Sequence, residues 1–415
     1  MSHPLILSAL WSILLLGLVL LLPRLISFLK PHDVRYAWVL ILCVAAISRL
    51  VPNALLHTGA GYDIESYQIV ADTVLNRQDV YSNPDAGSRH PYLPLQMYWL
   101  AVSRWLTERF SLPFATVVRI APILADILIA VTLYFLLMKR APSVAFFGGM
   151  LYALNPIPIY VSAYHGQFDS IPALFILLAI YWLSRSSWMT GGMLGIGILV
   201  KSWPVLAFPA LFFGTKLWRG RLKVAFLAIA IPLAGVGVYL YFFDGSPLLI
   251  FNKALTYNWG IGVWGYGYLV RLLTIALPDF NPLFGKLLLY GRQITIAILA
   301  ITWWFRARKQ KPEAEILTIL VTFIAWTHAF SIQYLMWVVP FAVLNMDFRW
   351  LKYYTVGAFF YMFLVYNTLI LELHITSILP WPQADWFLIM PAGLPAWIIA
   401  VLWARERLSN KNIKA

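Results

Sequence analysis

The chain has 415 residues, of which 61% are hydrophobic and 12% charged, with a mean hydropathy of +0.76 and a net charge of +14. A water-soluble domain of this length carries about twice that share of charge, so the composition excludes a soluble enzyme and indicates a polytopic helical membrane protein. A single cysteine, Cys43, lies in an apolar run, which leaves no disulfide framework.

Apolar runs approaching the roughly 20 residues that cross a bilayer core set the elements. The first, near 5–22, lacks a basic leader and a small-residue cleavage site and is expected to be a retained span. A second is expected at 37–56 and is followed by a long loop, 57–117. Within that loop Glu65–Leu75 and residues 94–109 have the pattern of short amphipathic helices lying in the interface plane. Further spans are expected near 118–138, 143–163, 170–184, 188–201, 203–215 and 224–243. After a second long loop, 244–287, come 288–305, 315–330, 335–346, 353–371 and 386–404, about thirteen spans in one integral membrane domain.

The positive-inside tendency orients them. Arg24, Lys30, Arg35, Lys139, Arg140, Arg185, Lys216, Arg219, Arg221, Lys223, Arg306, Arg308, Lys309, Lys311, Arg349, Lys352, Arg405, Arg407, Lys411 and Lys414 fall on one side, 20 of the 31 bases. Only Asp33, Glu313, Glu315, Asp347 and Glu406 accompany them. That side is expected to be cytoplasmic, with the N-terminus extracytoplasmic and the C-terminus cytoplasmic. The net positive charge is then a topology signal and not a nucleic-acid footprint.

The unusual polar residues gather on the other side. YVSAYHGQFDSIP (160–172) places His165, Gln167 and Asp169 between two apolar runs, where the bland reading is a polar turn. GILVKSWPVLAFP adds Lys201, and HAFSIQYLMWVVP adds His328, Gln333 and Tyr334. TYNWGIGVWGYGYLVRL, in the second loop, adds Trp264 and Arg271; its aromatics suit a lining over a lipid or sugar, or an interfacial belt. Asp126 lies within the third span, where an acid is a functional candidate unless it pairs with Arg119 nearby. The basic loops hold no nucleotide motif and no H-E-x-x-H. An activated substrate for the polar side must therefore arrive in the membrane.

Four stretches carry a resemblance: YDIESY (62–67) opening the first loop, HGQFDSIP (165–172), GGMLGIGILVKSWPVLAFP (191–209) and SIQYLMWVVP (331–340). In this order, from about residue 57 to 345, they resemble the GT-C fold glycosyltransferases that use polyprenyl-phosphate sugars, closest to the bacterial polyprenol-phosphate-mannose mannosyltransferases of glycosyltransferase family 87. One departure is HPYLPLQMYW (90–99), where members usually show Tyr-x-Tyr-Pro-Pro-Leu.

The resemblance implies an all-α GT-C-like bundle and an inverting hexosyl transfer, of mannose, from a polyprenyl-phosphate donor to a glycolipid or glycan acceptor among membrane lipids. No cofactor or metal is expected. It implies Asp63 as general base, against a structural role as N-cap of the helix beginning near Glu65. Glu65 is an auxiliary candidate. Lys201 and Arg271, with His165 and Tyr334, are candidates for the donor phosphate. Gln167, Asp169, Asp126, Gln333 and Trp264 are candidates for sugar or acceptor contacts. Another polyprenyl-phosphate sugar, such as glucose or arabinose, would use the same fold. A lipid or glycan transporter would show polar residues reaching both sides and an inverted repeat, and the sequence shows neither.

Overall fold

The computed structural model describes residues 3–29, 36–56, 60–256, 260–366 and 389–409. Among them the regular elements are helical, with one isolated antiparallel bridge between Ile261 and Ala329. Lys30, Asp33, Arg35, Lys411 and Lys414 of the charge pattern, and residues 367–371 and 386–388 of the last two expected spans, lie outside the described residues.

The chain packs as two compact units, Ser2–Tyr257 and Asn258–Ala415. The first holds α1 (His3–Leu29), α2 (Ala37–Leu55), α3 (Gly61–Leu75), α4 (Leu95–Phe110), α5 (Phe114–Val118), α6 (Ile120–Leu137), α7 (Pro142–Leu154), α8 (Pro156–Ile159), α9 (Ser170–Trp182), α10 (Ser187–Val200), α11 (Phe208–Gly214), α12 (Trp218–Phe242) and α13 (Pro247–Thr256). The second holds α14 (Gly265–Ala276), α15 (Asn281–Phe305), α16 (Pro312–Trp326), α17 (Val339–Leu344), α18 (Phe348–Val365) and α19 (Leu394–Ser409).

Among the described residues, five segments are long and apolar enough to cross a bilayer: Ile6–Leu25, Ala37–Leu55, Phe114–Leu137, Trp218–Phe242 and Asn281–Lys309. A sixth arises if Pro142–Leu154 and Pro156–His165, bent by 41°, count as one span. The expected spans at 170–184 and 188–201 correspond to helices of 13 and 14 residues. At 1.5 Å per residue these reach about 20 Å, short of a bilayer core of about 30 Å. The expected span at 315–330 is likewise only the 15-residue α16. Length and apolarity thus support five or six of the thirteen spans. The first loop does carry two helices, α3 and α4, but α3 begins four residues before Glu65.

The helix that leads to Lys201 is placed by its glycines. Ser186 caps α10, its hydroxyl accepting from the Met189 N–H at 3.3 Å. Glycines recur at 191 and 195, one turn apart, on the face toward α12. A Cβ on Gly195 would fall 2.5 Å from the Leu227 carbonyl oxygen, and one on Gly191 would fall 2.8 Å from the Val224 Cα. This is close backbone approach through small residues, the usual means of holding helices together where lipid supplies no hydrophobic drive. The helix stops at Lys201, which is extended (φ −148°, ψ 147°). Continuing it would drive the Pro204 ring into the Val200 carbonyl.

A second constraint ties α2, α6 and the α7–α8 region. Arg49 Nε donates to Asp126 Oδ2 at 2.7 Å, and its Nη1 donates to the Ala153 carbonyl at 2.7 Å. The Tyr152 hydroxyl donates to Asp126 Oδ1, and Ser162 Oγ lies 2.7 Å from Oδ2. Both charged side chains are fully buried. The expected Asp126–Arg119 pair is not formed: Arg49, from a different helix, takes the carboxylate.

Gly195→Ala is expected to destabilise the folded protein by about 1–3 kcal/mol, the range for overpacking. Thermal unfolding of the full chain in detergent measures it. An unchanged midpoint would mean that α10 does not rest on α12 through this face.

Candidate active site

The first unit gathers its polar residues where α3 meets the chain between α8 and α9. After α8 the backbone is wound one residue wider, as a π turn over Tyr160–His165, and the Gly166 N–H donates to the Val161 carbonyl five residues back at 3.1 Å. Such turns re-aim side chains and recur at functional sites. Gly166 then takes φ +88°, a conformation that costs an L-residue about 1–2 kcal/mol. A Cβ there would also lie 3.0 Å from the Arg119 Cγ. The turn lets His165 and Gln167, on either side of Gly166, face the same way. The Tyr67 ring of α3 packs edge-on against Phe168 at 5.6 Å, seating α3 on this turn.

Asp63 lies in the first turn of α3, with Ala60 as N-cap. The expected N-capping role therefore does not apply, and the carboxylate points to the turn instead. His165 Nε2 meets Asp63 Oδ2, and Gln167 Nε2 donates to the same oxygen at 2.8 Å. An ionised carboxylate only accepts, so the proton of the first contact belongs to His165. No described residue donates to Asp63 Oδ1, and the Asp63 side chain keeps 29% of its surface exposed.

The contacts continue inward. Lys201 Nζ donates to Gln167 Oε1 at 2.9 Å and to Asp169 Oδ2 at 2.7 Å. The Tyr92 ring covers the ammonium at 4.8 Å. Gln167, Asp169 and Lys201 are all buried. Burial pushes the Asp63 carboxyl up. The hydrogen bond and charge of His165, the Gln167 amide and the charge of Lys201 outweigh it, and hold Asp63 below its ordinary value.

A cation that the sequence offered only as a partner for Asp126 lies beneath this turn. Arg119 is fully buried; its Nη1 donates to the Leu56 carbonyl at 2.6 Å and lies 3.4 Å from Asn53 Oδ1, while Nε and Nη2 have no partner among the described residues. Its stem passes under Gly166. Positive charge thus underlies the carboxylate cluster. The sequence signal was the pair of positions RIAPILAD (119–126), and it pointed to the wrong partner.

Glu65 and Asp126 have other partners. Glu65 is two residues from Asp63, about 200° around the helix; it is exposed and pairs with Arg89 at 3.2 Å. Asp126 has both oxygens engaged in the Arg49 network. Trp264, Arg271, Gln333 and Tyr334 belong to the second unit. There Trp264 stacks on Phe330 at 4.1 Å and its N–H donates to the Ile324 carbonyl at 2.9 Å. Tyr334 packs on Trp337 at 4.2 Å, Gln333 is buried, and Arg271 covers the Phe284 ring at 5.0 Å. Among the described residues no group of three or more His, Cys, Asp or Glu side chains is placed to hold a metal ion.

The arrangement offers a carboxylate with one anchored and one open oxygen, set in a buried network of hydrogen bonds. This suits proton abstraction from a hydroxyl. The family model of glycosyltransferase family 87 matches residues 94–331, more than half of the chain. The chain belongs to glycosyltransferase family 87. It is therefore a glycosyltransferase, and its several long apolar helices make it a multi-pass membrane one. No curated protein and no solved structure matches it. The matched segment contains His165, Gln167, Asp169, Lys201 and Arg271. Asp63 precedes it and Tyr334 follows it, so Asp63 is joined to the family segment by its hydrogen bonds to His165 and Gln167 and not by the match itself.

Gly166→Ala is expected to cost about 1–2 kcal/mol of stability from the backbone alone, and to lower transfer activity in the fraction that folds by separating His165 and Gln167 from Asp63. Activity per folded molecule, measured beside thermal unfolding, checks this; wild-type specific activity would show that the turn geometry is not required.

Proposed function

We propose that this glycosyltransferase moves a hexose, mannose by family resemblance, from a polyprenyl-phosphate donor to a lipid-linked or glycan acceptor, on the extracytoplasmic side of the membrane. The observation that carries the reading is Asp63: Oδ2 is anchored by His165 and Gln167, and Oδ1 is open.

In this reaction the acceptor hydroxyl oxygen attacks C1 of the sugar from the face opposite the phosphate. The new C1–O bond forms as the C1–O bond to the phosphate breaks. The hydroxyl proton passes to Asp63 Oδ1, and the electron pair leaves with the polyprenyl phosphate. Inversion follows from attack opposite the leaving group. A single carboxylate suffices, unlike the paired carboxylates of a glycosidase. Because its neighbours hold Asp63 low, the base is ionised at neutral pH without help.

The geometry supports a positioning role for Lys201. Its ammonium already serves Gln167 and Asp169 and is covered by Tyr92. Through Gln167 it holds the amide that anchors Asp63. Arg119, buried below the turn, contributes positive field toward the charge that develops on the leaving phosphate. Gln167 acts on Asp63 directly and Asp169 acts through Lys201, neither by direct sugar contact.

The test uses the full chain in nanodiscs with radiolabelled polyprenyl-phosphate-mannose and a crude lipid extract as acceptor. Asp63→Asn is expected to lower turnover by about a hundredfold to ten-thousandfold, the usual contribution of a general base, with donor binding retained; normal turnover removes Asp63 as base. Lys201→Ala is expected to lower turnover while donor affinity stays near wild type. An equal loss of both would make Lys201 a phosphate ligand.

The pH dependence supplies a further check. His165 helps hold the Asp63 carboxyl low. His165→Leu therefore raises the pKa of Asp63, leaves more of the base protonated at a given pH, and moves the acid limb of kcat/KM to higher pH. An unmoved limb would assign it to another group.

A further inference from the structure

In the second unit, a groove of about 550 Å³ runs along the C-terminal halves of α15 and α19. This falls within the range of roughly 300–1,000 Å³ typical of ligand pockets. Its walls are apolar, with Ile301 and Phe305 from α15, Val401 from α19 and Trp326 from the end of α16. Arg306 and Arg405 also line it. Both arginines are exposed, and neither forms an ion pair among the described residues.

That lack of pairing is not for want of acids nearby. Glu406, the next residue after Arg405, pairs with Arg349. Asp347 accepts from Arg407 at 3.0 Å and from the Trp403 N–H at 2.8 Å. Glu315 accepts from the Trp303 N–H at 2.7 Å. These carboxylates are held by other donors, and the two arginines on the groove keep their charge. Arg306 is the C-cap of α15 and Arg405 lies one turn before the end of α19.

We propose that this groove is a binding site for an anionic phospholipid of the leaflet that meets the arginine-bearing helix ends. Two guanidinium forks match the oxygens of a phosphodiester, each able to bind it with two parallel hydrogen bonds. The apolar walls accept the alkyl chain. A soluble phosphate compound has no use for those walls, and a zwitterionic headgroup brings an ammonium that opposes the arginines. Basic pockets between membrane helices recognise anionic headgroups on this principle. The site goes beyond the transfer reaction and uses none of its residues.

The full chain is reconstituted in nanodiscs of phosphatidylcholine and phosphatidylglycerol with matched chains, extracted into mild detergent, and its retained lipid is weighed by native mass spectrometry. Wild type is expected to retain phosphatidylglycerol over phosphatidylcholine by on the order of tenfold, as two interfacial arginines allow. Arg306→Gln with Arg405→Gln is expected to abolish the preference. Val401→Trp fills the groove without touching charge and is expected to lower retention of phosphatidylglycerol as well. Lys216→Gln with Arg219→Gln, an equal loss of exposed charge elsewhere, is expected to leave it intact. The proposal fails if wild type retains both lipids equally, if the double arginine variant keeps its preference, if Val401→Trp has no effect, or if the Lys216 and Arg219 variant abolishes the preference as fully. Thermal unfolding of each variant confirms that folded protein is compared.

Discussion

The side-chain amide of Gln167 has two unlike ends, and the site depends on which way it faces. Its N–H end meets Asp63 and its oxygen meets the Lys201 ammonium. Reversal would turn the oxygen on a carboxylate and the N–H group on a cation, so the charges at both ends enforce one orientation. Asp169 fixes Lys201 from the far side. In a buried setting, where water does not compete, such hydrogen bonds are stronger and a mismatched one is more costly. The π turn, the left-handed Gly166 and the end of α10 serve this single alignment, since they bring a residue from each side within reach of the same amide.

The membrane sets the terms on which that alignment is held. Helices in lipid gain little by hiding apolar surface from one another, so position comes from close backbone contact and from polar groups that must find partners. Both devices appear in the first unit. The glycine face of α10 sets where that helix lies against α12, and Pro204 sets where it ends, which together deliver Lys201 to Gln167. The short helix α9 starts at the polar cluster and α10 stops at it.

Much of this was legible from residue type and spacing. The elements around His165 and Lys201, and their gathering with Asp63, followed from the order of motifs, and the family match covers most of them. What the sequence misjudged required knowledge of distant partners or of helix phase. Asp126 looked available because Arg119 was its only close neighbour in sequence; the actual partner, Arg49, is 77 residues away. Glu65 looked like a companion to Asp63 because two positions apart is near in sequence, but on a helix it is nearly the opposite face. The start of α3 was placed late because Gly61 and Tyr62 carry no capping signal, and this moved Asp63 from a cap to a first-turn residue. Hydropathy registers helix segments of 13 or 14 residues as strongly as full crossings, so the sequence alone does not separate the two kinds.

The Arg49–Asp126 pair also bears on how the chain enters the membrane. Arg49 is synthesised 77 residues before the acid that neutralises it. At elongation rates of about 5–20 residues per second, roughly 4–15 seconds pass with that arginine unpaired in a segment otherwise suited to lipid. Released into the bilayer alone during that interval, α2 would carry an isolated charge at a penalty of about 2.5–3.5 kcal/mol on the insertion scale. Pairing with Asp126 on α6 removes that penalty, and Tyr152 on α7 completes the network. A buried ion pair in the finished protein is therefore also a link in time, between helices that are made far apart.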